Sequence, residues 1–251
     1  MKILDRFEIV GNHPALYDPE QKMLIISDLH LGLESLMAES GMFMPKFQLS
    51  EMKDDLSDML AKKDIERLMV CGDIKHEFSE TSHGERKEVE EFVDFLRGSV
   101  ENIFLVKGNH DNYLIYTVKR YPNVSLKDEF VFDNVAFIHG HEKRKIIRAL
   151  DVEHVIMGHE HPALTLTDEI GVKEKIRCLL YGEMGDGTKL IVMPSFSSLA
   201  SGSNVNRISE DQILSPVLKE MIDLGEMKAI GVDKEAGLFK FPKLKEMRDA
   251  V

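Results

Sequence analysis

The residues of this chain best suited to chemistry come in five short blocks. They are Asp28-Leu29-His30, Gly72-Asp73, Gly108-Asn109-His110-Asp111, Ile138-His139 and Gly158-His159-Glu160-His161. Aspartate, asparagine and histidine are the donors that hold hard-to-borderline divalent cations. Asp28 and His30 stand two apart, as do His159 and His161. In an extended segment residues i and i+2 point to one side, so each pair could grip a common ion. Asp73 follows a glycine, which lets the backbone approach closely. A carboxylate has two oxygens and can bridge two cations, and Asn109 supplies a neutral carbonyl oxygen. Taken singly, each block has a blander reading. An Asp-x-His is commonly a solvated turn, Asn109 or Asp111 suits a helix N-cap, and His139 alone could be a hydrogen-bonded core histidine. In this order, and all at strand ends, they point to a two-metal hydrolase.

The elements that must position these blocks follow from periodicity. Met23–Ser27, Arg67–Cys71, Asn102–Val106, Val135–Ile138 and His154–Met157 are continuous apolar runs, each leading into one block. Continuous rather than alternating runs mean strands covered on both faces. Between them, Gln48–Lys62 carries Leu49, Met52, Leu56, Met59 and Leu60 at helical spacing, with Ser50 as a candidate N-cap. Glu85–Leu96, Asn112–Lys119 and Lys143–Leu150 also read as helices. Alternation of this kind gives a sheet with helices packed outside it. Ligands of α/β sheets gather beyond the carboxyl ends of the strands, where all five blocks lie. After His161 the texture changes. Thr165–Ile170, Lys175–Tyr181 and Lys189–Met193 read as strands of a second, antiparallel sheet. A Ser-rich loop from Ser195, a short helix from Leu218 and two edge strands, Lys228–Val232 and Gly237–Phe241, complete the reading. Residues 1–251 are read as one domain.

The bulk composition agrees with an ordinary cored protein: 251 residues, 43% hydrophobic and 30% charged. A net charge of −12 disfavours a protein that coats nucleic acid, although bound cations would add positive charge locally. Cys71 and Cys178 form no CxxC pair, so neither a zinc knuckle nor a disulfide framework is indicated. The first residues lack a signal-peptide core and no run approaches a membrane span, so a cytoplasmic protein without a membrane partner is expected.

The blocks Asp28-x-His30, Gly72-Asp73-x-x-His76, Gly108-Asn109-His110-Asp111, His139 and Gly158-His159-x-His161 resemble the calcineurin-like metallophosphoesterase superfamily. The resemblance spans about residues 22–195. It implies an α/β fold, a four-layer αββα sandwich of two mixed sheets flanked by helices, with a dinuclear metal site at the strand C-terminal ends. By the same resemblance Asp28, His30 and His161 hold one metal, Asn109, His139 and His159 the other, and Asp73 bridges them. Many members carry an Asp where this chain has His76. That substitution, with Lys75-His76-Glu77-Phe78, is similar to the SbcD-related, ICC-like branch, whose repair nucleases use a histidine pair instead. A phosphodiesterase of nuclease-like character is therefore expected.

In such a site two cations roughly 3.5–4 Å apart clamp the attacking and leaving oxygens. A bridging hydroxide attacks phosphorus in line. The leaving alkoxide needs a proton, and His110, beside Asn109, is the candidate general acid, with His76 positioning or recharging it. His141 either faces the site behind the ligands or caps the next helix. Asp111 and Lys75 are candidates for the shell behind the ligands or for the substrate. Manganese is the favoured ion, with Ni, Fe, Zn or Mg admissible. The partner is a phosphoester substrate, including nucleotides or nucleic acid, and a homodimer is admissible. A phosphomonoesterase and a non-catalytic scaffold on the same fold are the alternatives. Lys143-Arg144-Lys145 with Arg148 reads as a solvated helix face, or as a phosphate-steering patch. Gly182–Lys189 reads as a hairpin turn rather than a phosphate loop, and Met42–Pro45 as a loop that packs into the core by default, with a lid or a dimer contact as the alternatives.

Overall fold

Met23–Ile26 and Val135–Ile138 have no polar face for water, and every residue of both is buried. Strands of that kind need packing on both sides, and two stacked sheets with helices outside supply it. A computed structural model describes residues 1–43, 45–142 and 151–248. The expected helix Lys143–Leu150, its basic cluster Lys143, Arg144, Lys145 and Arg148, and Met44 lie outside the described residues.

The first half of the chain makes a seven-stranded sheet. Its strands are β1 (Lys2–Ile3), β2 (Phe7–Ile9), β3 (Leu16–Asp18), β4 (Met23–Ile26), β5 (Arg67–Val70), β6 (Asn102–Val106) and β7 (Val124–Lys127), side by side in chain order. β4 to β7 run parallel, with Ile26 opposite Val70 and Val70 opposite Leu105. The second half makes a nine-stranded sheet. Its strands are β8 (Phe130–Phe132), β9 (Val135–Ile138), β10 (His154–Met157), β11 (Pro162–Thr167), β12 (Lys173–Glu183), β13 (Lys189–Val192), β14 (Ser203–Asn204), β15 (Lys228–Asp233) and β16 (Gly237–Lys243). β9, β10 and β13 run parallel, and β8, β11, β12, β15 and β16 add antiparallel pairings. Both sheets are thus mixed. β15 is not an edge strand as expected, because it pairs with β12 on one side and β16 on the other. Met184 and Thr188 close the expected β12–β13 hairpin.

Three apolar layers hold the sandwich. Met23, Ile25, Met69, Cys71 and Val106 from the first sheet meet Val135, Phe137, Ile156, Ile191 and Ile230 from the second. On the outer face of the first sheet, α2 (Gln48–Lys62) and α3 (His83–Leu96) press Leu56, Met59, Val89 and Phe92 against Leu24, Leu68 and Ile103. Val217, Leu218 and Leu244 cover the outer face of the second. Each fully buried side chain of this size contributes about 1.5–3 kcal/mol. Neither cysteine is paired, and both are buried.

α2 keeps its expected bounds but not its expected cap, and α3 starts earlier than expected. α2 begins before Ser50, and no side chain of its own N-cap residue closes it. Instead the buried Glu34, in α1 (Leu33–Glu39), accepts from the Phe47 and Gln48 amides at 2.7 and 3.1 Å. α3 starts at His83, and Ser82 before it forms a capping box with Glu85. Asn112–Lys119 shrinks to α4 (Ile115–Val118). Among the described residues no helix is long and apolar enough to cross a membrane.

His154 sits on β10 with its ring buried against Phe7, and neither ring nitrogen has a hydrogen-bond partner among the described residues. Burial, then the charges of Lys189 and Arg6, lowers its pKa below the ordinary imidazole value, with Glu153 and Asp18 opposing. The unfolded chain therefore binds this proton first as pH falls through ~6.5, and its uptake favours unfolding. We expect His154→Leu to lose less thermal stability than the parent between pH 7.5 and 5.5. Equal losses by calorimetry would remove His154 from the acid sensitivity.

Candidate metal centre

The parallel strands of both sheets deliver the site from one edge of the sandwich. Asp28 and His30 follow β4, Asp73 follows β5 and Asn109–Asp111 follow β6, while His139 follows β9 and His159 and His161 follow β10. The chain does not leave these strands extended. Asp28, His30, Asp73, His159 and His161 all hold left-handed backbone, with φ between 47° and 71°. Such residues cost of order 1–3 kcal/mol each and persist where the surroundings over-determine them. The extended-pair reading is corrected accordingly. Asp28 and His30 do face one group of donors, but His159 and His161 part, one to each group.

The turns bring backbone and ligands into close approach. A Cβ on Gly72 would lie 2.2 Å from His139 Nδ1. One on Gly158 would lie 1.9 Å from Ser27 Oγ and 2.5 Å from Asp28 Oδ2. Only glycine fits either place.

Among the described residues, Asp28, His30, Asp73 and His161 form one group whose donor atoms lie within 4.8 Å of one another, and Asp73, His139 and His159 form a second. Asp73 belongs to both. In the first, His161 Nε2 is 3.2 Å from Asp28 Oδ1 and 3.3 Å from His30 Nε2. In the second, His139 Nε2 is 3.3 Å from Asp73 Oδ2 and 3.0 Å from Asn109 Oδ1. The opposite ring nitrogen of His139 donates to the Cys71 carbonyl at 3.0 Å, which turns Nε2 inward. Ring nitrogens that face one another and carboxylates at this range suit divalent cations. The donor set of oxygen and imidazole nitrogen fits such ions.

The electrostatics agree with that fit. Burial works against ionising Asp73 and Asp28, yet the neighbouring imidazoles hold both carboxyls below the usual range. Burial likewise works against charging His139, but the Asp73 hydrogen bond and the charges of Asp73 and Asp28 raise it to about 9. His161 rises against its burial beside Asp28. Burial and surrounding imidazolium charge lower His159 to about 4. Burial lowers His30 to about 3.

His110, His76 and Phe78 stand beside the first group. His110 Nε2 lies 3.8 Å from Asp73 Oδ2, and its Nδ1 faces the His76 carbonyl. The His76 ring stacks on His110 and places Nδ1 3.2 Å from His30 Nδ1. Burial, then the charge of His110, lowers the pKa of His76, so its neutral ring can accept the His30 proton. His30, His76 and His110 thereby make a third group of close donors. His141 flanks the second group, its ring 5.1 Å from His139 and 6.1 Å from His159. It lines a cavity of about 260 Å³ with Asn109, Asn112, Lys107 and Asp128.

Buried carboxylates behind the ligands tie the turns down. Asp111 accepts from Gly108 N at 2.8 Å, Ile74 N at 2.9 Å and Lys75 N at 3.2 Å. Burial and the charge of Asp73 push its carboxyl up to about 7 against those donors. Asp111 therefore joins the β5 and β6 turns and is no helix cap. Lys75 also lies behind the ligands. It is fully buried, and its ammonium donates to the carbonyls of Glu77 and Ser79. Two supports escaped the sequence reading. Glu85 accepts from the His76 and Glu77 amides at 3.1 and 2.6 Å, and its signal was the Ser82-x-x-Glu85 capping box. Glu160 accepts from the Leu214 and Ser215 amides, both at 2.9 Å, so the His159–His161 turn anchors a distant loop that no local pattern announces.

A family model described as calcineurin-like phosphoesterase matches residues 21–143. Over those residues the chain belongs to the calcineurin-like phosphoesterase superfamily. No curated protein sequence matches it. Among solved structures this phosphoesterase-family chain is similar to nuclease MPE from Pseudomonas putida. That pair has a TM-score of 0.64 and 15% identity, covering 96% of this chain and 98% of that one. At that identity the likeness shows a shared fold. A protein of unknown function from Aquifex aeolicus matches at TM-score 0.40 and 20% identity, over 55% of this chain and 78% of that one. Vps29 from Entamoeba histolytica in complex with zinc matches at TM-score 0.39 and 15% identity, over 87% and 97%.

Gly158→Ala is expected to push Ser27 and Asp28 apart, and to cut the bound metal per chain measured by plasma emission while the far-ultraviolet dichroism persists. Full metal content in that variant would contradict the close approach. Because His139 and His161 have raised pKa values, a cation must displace their protons. Titration calorimetry at pH 7.5 in buffers of different ionisation enthalpy should therefore report proton release, and affinity should rise with pH.

Proposed function

We propose that this chain is a metal-dependent phosphodiesterase of nuclease-like character, in the SbcD-related branch of its superfamily. The observation that carries the reading is the sharing of Asp73 between two donor groups, with His110 Nε2 3.8 Å from the same carboxylate. Asp28, His30 and His161 hold one divalent cation, Asn109, His139 and His159 hold another, and Asp73 reaches both. Manganese is the favoured ion on this mixed carboxylate, amide and imidazole donor set. Bound there, two such cations neutralise phosphate charge and acidify water.

The chain's own groups supply the rest. His110 commits Nδ1–H to the His76 carbonyl, so its Nε2 carries the transferable proton toward the site. That proton goes to the leaving oxygen as the ester bond breaks. His76 holds His110 through its carbonyl and stacked ring, and steadies His30 through Nδ1. The preference for diesters rests on His76 standing where many relatives carry an Asp.

Hydrolysis of bis(p-nitrophenyl) phosphate should require added Mn²⁺ or Ni²⁺, stop with chelator, and exceed that of the monoester. On a diester with an alkyl leaving group, His110→Ala should lower kcat about 10²–10⁴-fold while two metals remain bound. The loss should be smaller for p-nitrophenol, which departs without a proton. Metal-independent turnover, or a His110→Ala enzyme as fast as the parent, would defeat the reading.

A further inference from the structure

Phe78 stands one ring beyond the proposed general acid. Its ring centroid lies 3.7 Å from that of His110, tilted by 32°, and His110 in turn stacks on His76. Yet Phe78 is 58% exposed, so the outward part of the phenyl ring meets water at the mouth of the metal centre. A scattered exposed aromatic needs no explanation. This one is held in place at a cost. The fully buried Lys75 ammonium donates to the carbonyls on both sides of it, Glu77 and Ser79. Glu85 accepts the Glu77 amide at 2.6 Å, and Asn112 Nδ2 donates to the Phe78 carbonyl at 3.2 Å. A buried cation and a buried carboxylate thus pin the loop with its aromatic side chain turned out, against the hydrophobic tendency to tuck it in.

The place of the ring decides what it can meet. His110 delivers its proton to the leaving oxygen, so a group lying against Phe78 belongs to the leaving alcohol. Every nucleobase has a π face, and stacking on an exposed aromatic side chain is a sequence-tolerant way to bind one. We propose that the outward face of Phe78 seats the nucleobase of the leaving nucleoside, which makes Phe78 a specificity-determining residue for nucleotide diesters over alkyl diesters. This rests on the phosphodiesterase reading for its catalytic arm only.

Two measurements test it. The first compares kcat/KM of the parent, Phe78→Leu and Phe78→Trp on thymidine and uridine dinucleotides and on glycerophosphoglycerol, which has no ring. Leucine keeps an apolar contact with His110 but removes the π face. Phe78→Leu should lose about tenfold more on a dinucleotide than on the glycerol diester, mainly through KM, and Phe78→Trp should restore the difference. Equal losses on all substrates would show that Phe78 only supports His110, and would overturn the proposal. The deoxy and ribo dinucleotides separate DNA from RNA as the source of the base. The second measurement needs no turnover. The chain has no tryptophan, so Phe78→Trp carries a single reporter. Its fluorescence should be quenched by the dinucleotides and not by glycerophosphoglycerol, with zinc present. Absence of quenching overturns the base seat even if the enzyme is active. Quenching in a chain that hydrolyses nothing sustains it while the phosphodiesterase reading falls.

Discussion

One carboxylate, Asp73, is the constraint around which the rest is arranged. It stands at the end of β5, in the middle of the first sheet, and faces histidines supplied by the second. Both donor groups need it, so both sheets must present the carboxyl ends of their parallel strands at the same edge. The apolar layer between the sheets, with Met69 and Cys71 against Phe137 and Ile156, sets that alignment. The hydrophobic core fixes how the sheets stack, and the stacking decides whether the ligands can converge.

Convergence at this range is unfavourable by itself. Carboxylates and imidazoles are stripped of water, and five of their backbones are held left-handed. The surroundings offset this with hydrogen bonds rather than with more apolar packing. Asp111 ties three amides of two turns, Glu85 ties the His76 loop to the start of α3, and Glu160 ties the His159–His161 turn to the segment before Val217. These supports are buried carboxyl groups beside the two donor groups, and burial raises the pKa of Asp111 and Glu160. The positive charge of bound ions would relieve the repulsion between Asp111 and Asp73.

The ligand types and their placement after apolar runs were legible because both are local properties. A buried strand writes itself as a continuous apolar run, and a ligand at its end follows directly. The superfamily could be named from the blocks for the same reason. The supports were harder to read. Glu34 caps a helix that begins fourteen residues later in the chain, and Glu160 is bonded to amides more than fifty residues away. The sequence leaves Lys75 open between the shell behind the ligands and the substrate, since an isolated lysine gives no sign that two backbone carbonyls will take it inside. Spacing carries no φ, so the sequence of the Asp28–His30 pair suggests an extended segment, and only the packed turn reveals a left-handed path.

Residue identity and short-range period therefore settled which chemistry this protein could attempt, along with the α/β class that would carry it. The two sheets' mutual placement, the left-handed turns that carry the ligands, and the outward display of Phe78 were decided by the tertiary structure alone. The physical reason is that each depends on contacts between segments far apart in the chain. Their energies come from burial and from hydrogen bonds that exist only after the sandwich has closed.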